Sequence, residues 1–502
     1  MSGPAAGRWV LPLGPRPGPA LRLFCFPHAG SGASLFRAWP EQLPPEIVVL
    51  AVQPPGREER WAEPPYPRLQ PLVGALVSAL RPHLVPPYAF FGHSMGALLA
   101  FEVSRQLRDT GAELPVHLIV SGRRAPTAKP LAPGGRGVGM RGEFPLSDAE
   151  LLARLRAYEG TPGELLANEE VLRFLLPTLR ADFTLCETYR YEPAPPLPCP
   201  VTAFGGDADP EVSLDELRAW REQTTGPFTV RVFPGGHFYH RQCPALFFAA
   251  LSQALTARWS PPPESLHVEG GAVDVWRAPL DVPADALPRL AAVCSAGEQI
   301  RAASFATAAL RADFLVARGY LRHLLARYLG VSPADVPLVI APSGKPQIGG
   351  LPEGRLEFNL SHSGRFLLAA VTRGAEIGVD VEQVRPMPDA ERLAETFFAP
   401  RERAELALVE AARREEALFA CWTRKEAYLK ARGDGLSFGL DRFAVPVAPD
   451  AVARLLWVDG EPDAPARWRL ADLDVAPGYR AAAAVRRPDV QWRLWDLAPP
   501  GK

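Results

Sequence analysis

At 502 residues the chain exceeds one ordinary hydrophobic core, and its 47% hydrophobic and 22% charged residues are the balance of a globular protein with two domains. A formal net charge of −1 argues against a dedicated nucleic-acid binder. The six cysteines (Cys25, Cys186, Cys199, Cys243, Cys294 and Cys421) form no CxxC pair, which argues against a disulfide scaffold or structural zinc site. Residues 1–19 lack the basic start and apolar core of a signal peptide, and no apolar run reaches membrane-spanning length. The expectation is a soluble cytoplasmic protein with neither nucleic acid nor membrane among its partners.

In chain order, β-rich runs at 21–26, 47–52, 88–91, 116–121, 201–204 and 229–233 alternate with helical stretches, the pattern of an α/β domain with a mainly parallel sheet. Between 127 and 198 the pattern changes to a Gly/Pro loop at 133–142 and amphipathic stretches near 148–158 and 169–187. They fall between two strands, where a substrate-covering lid could be inserted. A helix at 246–259 stops at Ser260-Pro261-Pro262-Pro263-Glu264-Ser265, which reads as a stiff linker over 259–266. Beyond it come a long helix at 302–329, strands at 357–360 and 366–371, a strand ending at Asp380 and Glu382, and a helix at 413–431.

Gly92-His93-Ser94-Met95-Gly96 lies between the strand at 88–91 and a helix at 97–108. Strand, tight glycine turn and helix are the setting in which a strained serine projects above a sheet as a nucleophile. In this arrangement the order is Ser, then acid, then His. His237 follows the last strand of the domain and Asp209 the strand before it, so these are the expected base and orienting acid. Their rivals, His240 and Asp207, read as solvated loop residues. The oxyanion donors are expected to be the backbone N–H groups of Met95 and Ala29. His28 and His93 read as residues hydrogen-bonded within loops.

The segments Phe26-Pro27-His28-Ala29-Gly30, Gly92-His93-Ser94-Met95-Gly96, Gly205-Gly206-Asp207-Ala208-Asp209-Pro210 and Gly235-Gly236-His237-Phe238-Tyr239 together resemble the discrete type II thioesterases of polyketide and nonribosomal peptide synthesis, over 15–258. The resemblance implies an α/β-hydrolase that removes acyl groups stalled on a carrier protein's phosphopantetheine thiol. It places Ser94, Asp209 and His237 in the triad and makes the insertion at about 127–198 a helical lid.

Downstream, Asp380 and Glu382 share one face of a strand, and Trp422, Glu426 and Lys430, four apart, share one stripe of a helix. Three carboxylates without His or Cys favour Mg²⁺, completed by water and substrate phosphates. Lys425 and Lys430 are expected to offset phosphate charge, and one carboxylate to deprotonate an attacking hydroxyl.

Gly344-Lys345-Pro346, Phe358-Asn359-Leu360-Ser361-His362-Ser363, Gly378-Val379-Asp380-Val381-Glu382 and the run from Trp422 to Lys430, in that order, resemble a 4′-phosphopantetheinyl transferase of the surfactin-synthetase type. The resemblance implies an α+β pseudo-dimer over 267–495, with halves at 267–372 and 373–495 and the active site between them. It implies transfer of phosphopantetheine from coenzyme A to a serine of an apo acyl or peptidyl carrier protein, releasing 3′,5′-ADP. Carried over by position, Asp380, Glu382 and Glu426 hold Mg²⁺, Glu426 is also the base, and Lys430 contacts phosphate. Lys345, Ser361 and His362 contact coenzyme A, His362 near its 3′-phosphate. Arg301, Arg311, Arg318 and Arg322 are candidates for a further cationic contact. The combined reading is a bifunctional carrier-protein maintenance enzyme. Its alternatives are a thioesterase that releases finished product, a non-catalytic carrier-docking half, and a general esterase fused to the transferase.

Overall fold

The computed structural model describes residues 9–14, 21–128, 151, 169–256, 260–263, 266–268, 270–341, 344–350, 356–433 and 435–499. The Gly/Pro loop at 133–142 and most of the stretch at 148–158 lie outside them. The chain divides into two compact units, residues 1–255 and 256–502.

The first unit is built on a seven-stranded sheet of β1 (Val10–Leu13), β2 (Leu21–Phe26), β3 (Ile47–Val52), β4 (Tyr88–His93), β5 (His117–Ser121), β6 (Val201–Gly206) and β7 (Phe228–Phe233), in the order β1-β3-β2-β4-β5-β6-β7. All neighbours are parallel except β1, which runs antiparallel to β3 along one edge. The central strands β4, β5 and β6 are buried at every position, so their near-continuous apolar runs are what a sheet covered on both faces requires. Helix α1 (Leu69–Leu80) buries Leu69, Leu72, Val73, Leu76, Val77 and Leu80, the 3–4 spacing of one stripe. Helix α2 (Met95–Asp109) follows β4, and α3 (Glu169–Thr188) falls between β5 and β6 in the chain. A short α4 (Tyr239–Gln242) and α5 (Pro244–Thr256) close the unit.

The second unit pairs two sheets. One holds β11 (Glu357–Ser363), β12 (Phe366–Thr372), β8 (Ala272–Pro279) and β18 (Gln491–Asp496), in that order. The other holds β13 (Ile377–Gln383), β17 (Tyr479–Val485) and β16 (Arg469–Asp472). Small hairpins of β9 (Leu338–Ile340) with β10 (Pro346–Ile348), and of β14 (Phe443–Ala444) with β15 (Trp457–Val458), sit outside them. Val273, Val275, Leu368 and Ala370 of one sheet share a core with Ile377, Val379, Val381, Ala481 and Ala483 of the other, one alternating face from each. The outer faces carry separate helices: α7 (Ala308–Leu329) on the first sheet, and α9 (Arg414–Arg432), after α8 (Pro400–Leu408), on the second.

Three boundaries differ from the sequence reading. The expected helix at 302–329 is two, α6 (Ala296–Ala303) and α7, because the Thr307 side chain accepts the Leu310 N–H at 3.2 Å and starts a new helix. The half-domain expected to run to 495 loses its last strand: β18 crosses back to lie parallel to β8. Asp274 on β8 is 1% exposed, and its charge is matched there by Arg493 at 2.6 Å, with Trp495 and Tyr328 donating to the same carboxylate. The proline-rich segment is not a bare spacer. Ser260 exchanges backbone hydrogen bonds with Leu494 and Asp496, and Pro263 O accepts from Arg327, so its described residues are bound into the second unit.

Candidate active sites

In the first unit, Ser94 sits between β4 and α2 with φ 54° and ψ −113°, a left-handed conformation that a non-glycine residue adopts only when its surroundings compel it. The surroundings are tight. A Cβ on Gly92 would lie 2.1 Å from Gly96 O, and one on Gly96 would lie 2.1 Å from Phe26 O. Both flanking glycines are therefore required by close backbone approach. Met95 is the first residue of α2, where an N–H has no partner within the helix.

His237 follows β7 and Asp209 follows β6. His237 Nδ1 is 2.8 Å from Asp209 Oδ2, with side-chain exposures of 6% and 0%. The other carboxylate oxygen accepts the Glu211 N–H at 2.8 Å, which fixes its orientation. A buried carboxylate on Nδ1 holds the proton there and leaves Nε2 as the basic nitrogen. The rival acid Asp207 is committed elsewhere, accepting the Gly235 N–H at 2.8 Å.

His240 corrects the sequence reading. It is no solvated loop residue but half-buried on α4, its ring 4.7 Å from that of the buried His93. His93 is 5.0 Å from His237 and 6.0 Å from His28. Burial, reinforced by neighbouring cationic groups, pushes His28 down to about 4 and His240 to about 3, and holds His93 well below its ordinary value. All three are neutral near pH 7, so they surround His237 without charge. His28 does bond within its loop, Nδ1 to Ala29 O at 3.0 Å. His93 instead reaches Ser121 Oγ on β5 at 2.9 Å, and Ser121 in turn meets Tyr239 at 2.5 Å.

In the second unit the decisive contact is Gly378 against α9. A Cβ there would lie 2.1 Å from Ala427 O and 2.4 Å from Ala431 N, so β13 and α9 meet backbone to backbone. That contact turns Glu426 and Lys430 toward Asp380 and Glu382. Lys430 Nζ is 2.5 Å from Asp380 Oδ1. Strand β11 supports the carboxylates from beside β13 with every second side chain. Asn359 accepts the Val379 N–H at 2.9 Å, Ser361 donates to Asp380 Oδ1 at 2.8 Å, and Ser363 donates to Glu382 Oε2 at 2.7 Å. Ser361 thus bears on the carboxylate cluster, and Ser363 is a supporting residue that the sequence reading passed over.

Lys425 is a second correction. It is 0% exposed and paired with Glu402 at 2.6 Å, with Phe443 O at 2.8 Å, so it anchors α8 and β14 to α9 and faces no substrate. Arg322 likewise is spent on Glu298, at 2.7 Å, and on the carbonyls of 333, 334 and 336. Arg301 is exposed, over the Phe305 ring at 5.5 Å, and Arg311 is exposed on α7. Arg318 stands 5.4 Å from the Phe314 ring. His362, between the two inward serines, is open to solvent. Lys345 Nζ donates to the carbonyls of Ile377 at 3.2 Å and Lys430 at 2.9 Å, tying the β10 hairpin to β13 and α9.

The fit to a hard divalent cation rests on Asp380. Its Oδ2 is buried with no hydrogen-bond partner among the described residues, an acceptor aimed at nothing the protein supplies. Burial first, then mutual repulsion, raises the carboxyls of Glu382 and Glu426, and burial raises Asp380 despite Lys430. Among the described residues no group of three or more His, Cys, Asp or Glu is drawn close enough to hold a metal ion, so Asp380, Glu382 and Glu426 are not preassembled as a three-ligand set.

The raised pKa values give a pH prediction. A folded state that binds protons more tightly than the unfolded chain has that stability in full below the ordinary carboxylate pKa and loses it as pH rises through the raised folded values. A cation among the carboxylates offsets the loss. Mg²⁺ is expected to raise the melting temperature of the second unit by several degrees at about pH 8 and by much less near pH 5. Calorimetry with and without the ion reads this, and equal shifts at both pH values would deny these carboxylates the cation.

Comparison with known proteins bears on both units. Residues 21–251 match the model of the thioesterase domain, and residues 376–484 that of the 4′-phosphopantetheinyl transferase superfamily. The gramicidin S biosynthesis protein GrsT of Aneurinibacillus migulanus is 43% identical over 232 residues, covering 46% of this chain and 88% of that protein. The 4′-phosphopantetheinyl transferase HetI of a Nostoc species is 39% identical over 236 residues, covering 47% of this chain and 95% of that protein. A solved structure, the type II thioesterase BorB from the borrelidin biosynthetic cluster, aligns at 40% identity and a TM-score of 0.44, over 50% of this chain and 100% of that one. The chain belongs to both families, a thioesterase of the α/β-hydrolase fold followed by a 4′-phosphopantetheinyl transferase.

Proposed function

We propose that this is a bifunctional enzyme of carrier-protein maintenance, which installs the phosphopantetheine arm and later clears it of unwanted acyl groups. The observation that carries the reading is the joint occurrence of two constellations in one chain. One is Ser94 on its strained turn with the His237–Asp209 pair, and the other is Asp380 with its orphaned Oδ2 beside Glu382, Glu426 and Lys430.

In the first, Ser94 Oγ attacks the thioester carbonyl as His237 Nε2 takes its proton. The N–H groups of Met95 and Ala29 receive the oxyanion, and the thiol of the arm leaves with the proton from His237. Water then releases the acid from Ser94 by the same steps, with His237 again as base. In the second, Asp380, Glu382 and Glu426 are the residues that would hold Mg²⁺, which when bound neutralises the charge of the coenzyme A pyrophosphate. Glu426, its pKa raised by burial and by Asp380, takes the proton of the carrier serine as the serine oxygen attacks the β-phosphorus of coenzyme A, and the pyrophosphate P–O bond breaks to release 3′,5′-ADP. Lys430 moves from Asp380 to a phosphate oxygen, and the resemblance assigns Lys345 and His362 to coenzyme A. The similarity to a protein named for gramicidin S biosynthesis supports an assembly line for a secondary metabolite as the setting.

The test is the intact mass of an apo carrier protein incubated with acetyl-coenzyme A and Mg²⁺. Wild type should yield the free holo carrier, while a variant lacking the Ser94 hydroxyl should stop at the acetylated form. Carrier that stays apo with wild type would refute the transferase half, and carrier that stays acetylated would refute clearance of acetyl groups.

A further inference from the structure

The N–H groups of the loop after β2 do not all face the substrate. Gly30 N–H is already taken, donating to Asp182 Oδ2 at 2.8 Å, and Asp182 belongs to α3, 152 residues further along the chain. The same carboxylate is gripped by Arg57 at both oxygens, Nη1 to Oδ2 and Nη2 to Oδ1, each at 2.8 Å. Arg57 also donates to Ser31 O at 3.1 Å and Pro55 O at 3.2 Å. The pair is 6% and 1% exposed. One turn earlier on α3, Thr178 Oγ1 donates to Gly56 O, and Leu179 presses so closely on Gly30, whose φ is +76°, that a Cβ there would lie 2.5 Å from Leu179 Cδ2.

We propose that Asp182 and Arg57 are positioning residues for thioester hydrolysis, by which α3 fixes the backbone of the oxyanion loop. The inference rests on the serine site working as proposed. The Ala29–Gly30 peptide plane is held at both edges, His28 Nδ1 on Ala29 O at 3.0 Å and Asp182 on the Gly30 N–H. With that plane fixed, the Ala29 N–H in the preceding peptide can turn only through the two torsions of Ala29, which narrows its range. Donor direction is what an oxyanion site depends on, since its benefit comes from dipoles aimed before charge develops. Arg57 has a second task. A carboxylate one peptide from the oxyanion donor opposes the negative charge formed in the transition state, and the bidentate guanidinium neutralises it in place.

The test uses the full chain, a short acyl thioester of N-acetylcysteamine, and an alkyl boronic acid as a tetrahedral mimic. Asp182→Asn and Arg57→Gln are each expected to lower kcat by about ten- to a hundredfold with KM changed less than twofold, and to weaken the boronate by the same factor. A purely structural role would lower the melting temperature and the active fraction without moving boronate affinity per folded site. Should Asp182→Asn fail to fold, Arg57→Lys carries the test, because it keeps the charge and loses the paired geometry. Wild-type kcat and boronate affinity in the folded variants, with hydrolysis still abolished by Ser94→Ala, overturn this inference alone. Absence of Ser94-dependent hydrolysis in wild type overturns the thioesterase reading and the inference with it.

Discussion

Asp209→Asn is expected to lower thioester hydrolysis by on the order of 10⁴-fold while leaving phosphopantetheinyl transfer at the wild-type rate. Asp209 is 0% exposed on its side chain and receives His237 Nδ1 at 2.8 Å, so its acceptor oxygen decides where the imidazole proton resides. With Oδ1 held by the Glu211 N–H, an asparagine there turns its NH₂ toward Nδ1. The ring must then accept at Nδ1 and carry its proton on Nε2, where it cannot take one from Ser94. The change removes almost no volume, so the fold should survive. Single-turnover hydrolysis of an acyl carrier protein, followed by mass, reads the effect. A loss of less than tenfold would mean that Asp209 is not the orienting acid.

Asp380→Ala should be as severe on the other activity, reducing transfer to an apo carrier by at least about a thousandfold with hydrolysis unaffected. Three consequences converge on this one substitution. It removes the orphaned Oδ2, which is the best-prepared acceptor for a cation, and it releases Lys430, now 2.5 Å away, from its resting partner. It also leaves Ser361 without the acceptor it now has at 2.8 Å. The structural cost is modest, because burial already disfavours the charged form of this carboxyl. Raised Mg²⁺ should not restore the rate. Full restoration at high Mg²⁺ would demote Asp380 to a peripheral role.

The local parts of this molecule were legible in the sequence because local rules produce them. Parallel strands buried on both faces read as apolar runs, and a serine between two glycines at a strand–helix junction has few other uses. The alternation of Asn359, Ser361 and Ser363 was also legible, since period two on a strand places all three toward one neighbour. Only Ser361 was drawn from it. Lys425 shows what pattern does not supply. It adjoins Glu426, and its face of α9 is decided by the Gly378 contact and by Glu402 on another helix. His240 failed for the same reason, because its partial burial depends on His93 and Phe247 from other elements. Arg57 and Asp182, 125 residues apart, leave no local signature.

The return of β18 to the side of β8 has a consequence for the order in which the two catalytic units mature during synthesis. The thioesterase unit has all its strands by residue 255 and can fold while the rest is being translated, a lead on the order of tens of seconds. The transferase unit cannot balance Asp274 until Arg493 emerges. On the proposed function, a chain cut short before Arg493 is expected to hydrolyse acyl thioesters without transferring phosphopantetheine.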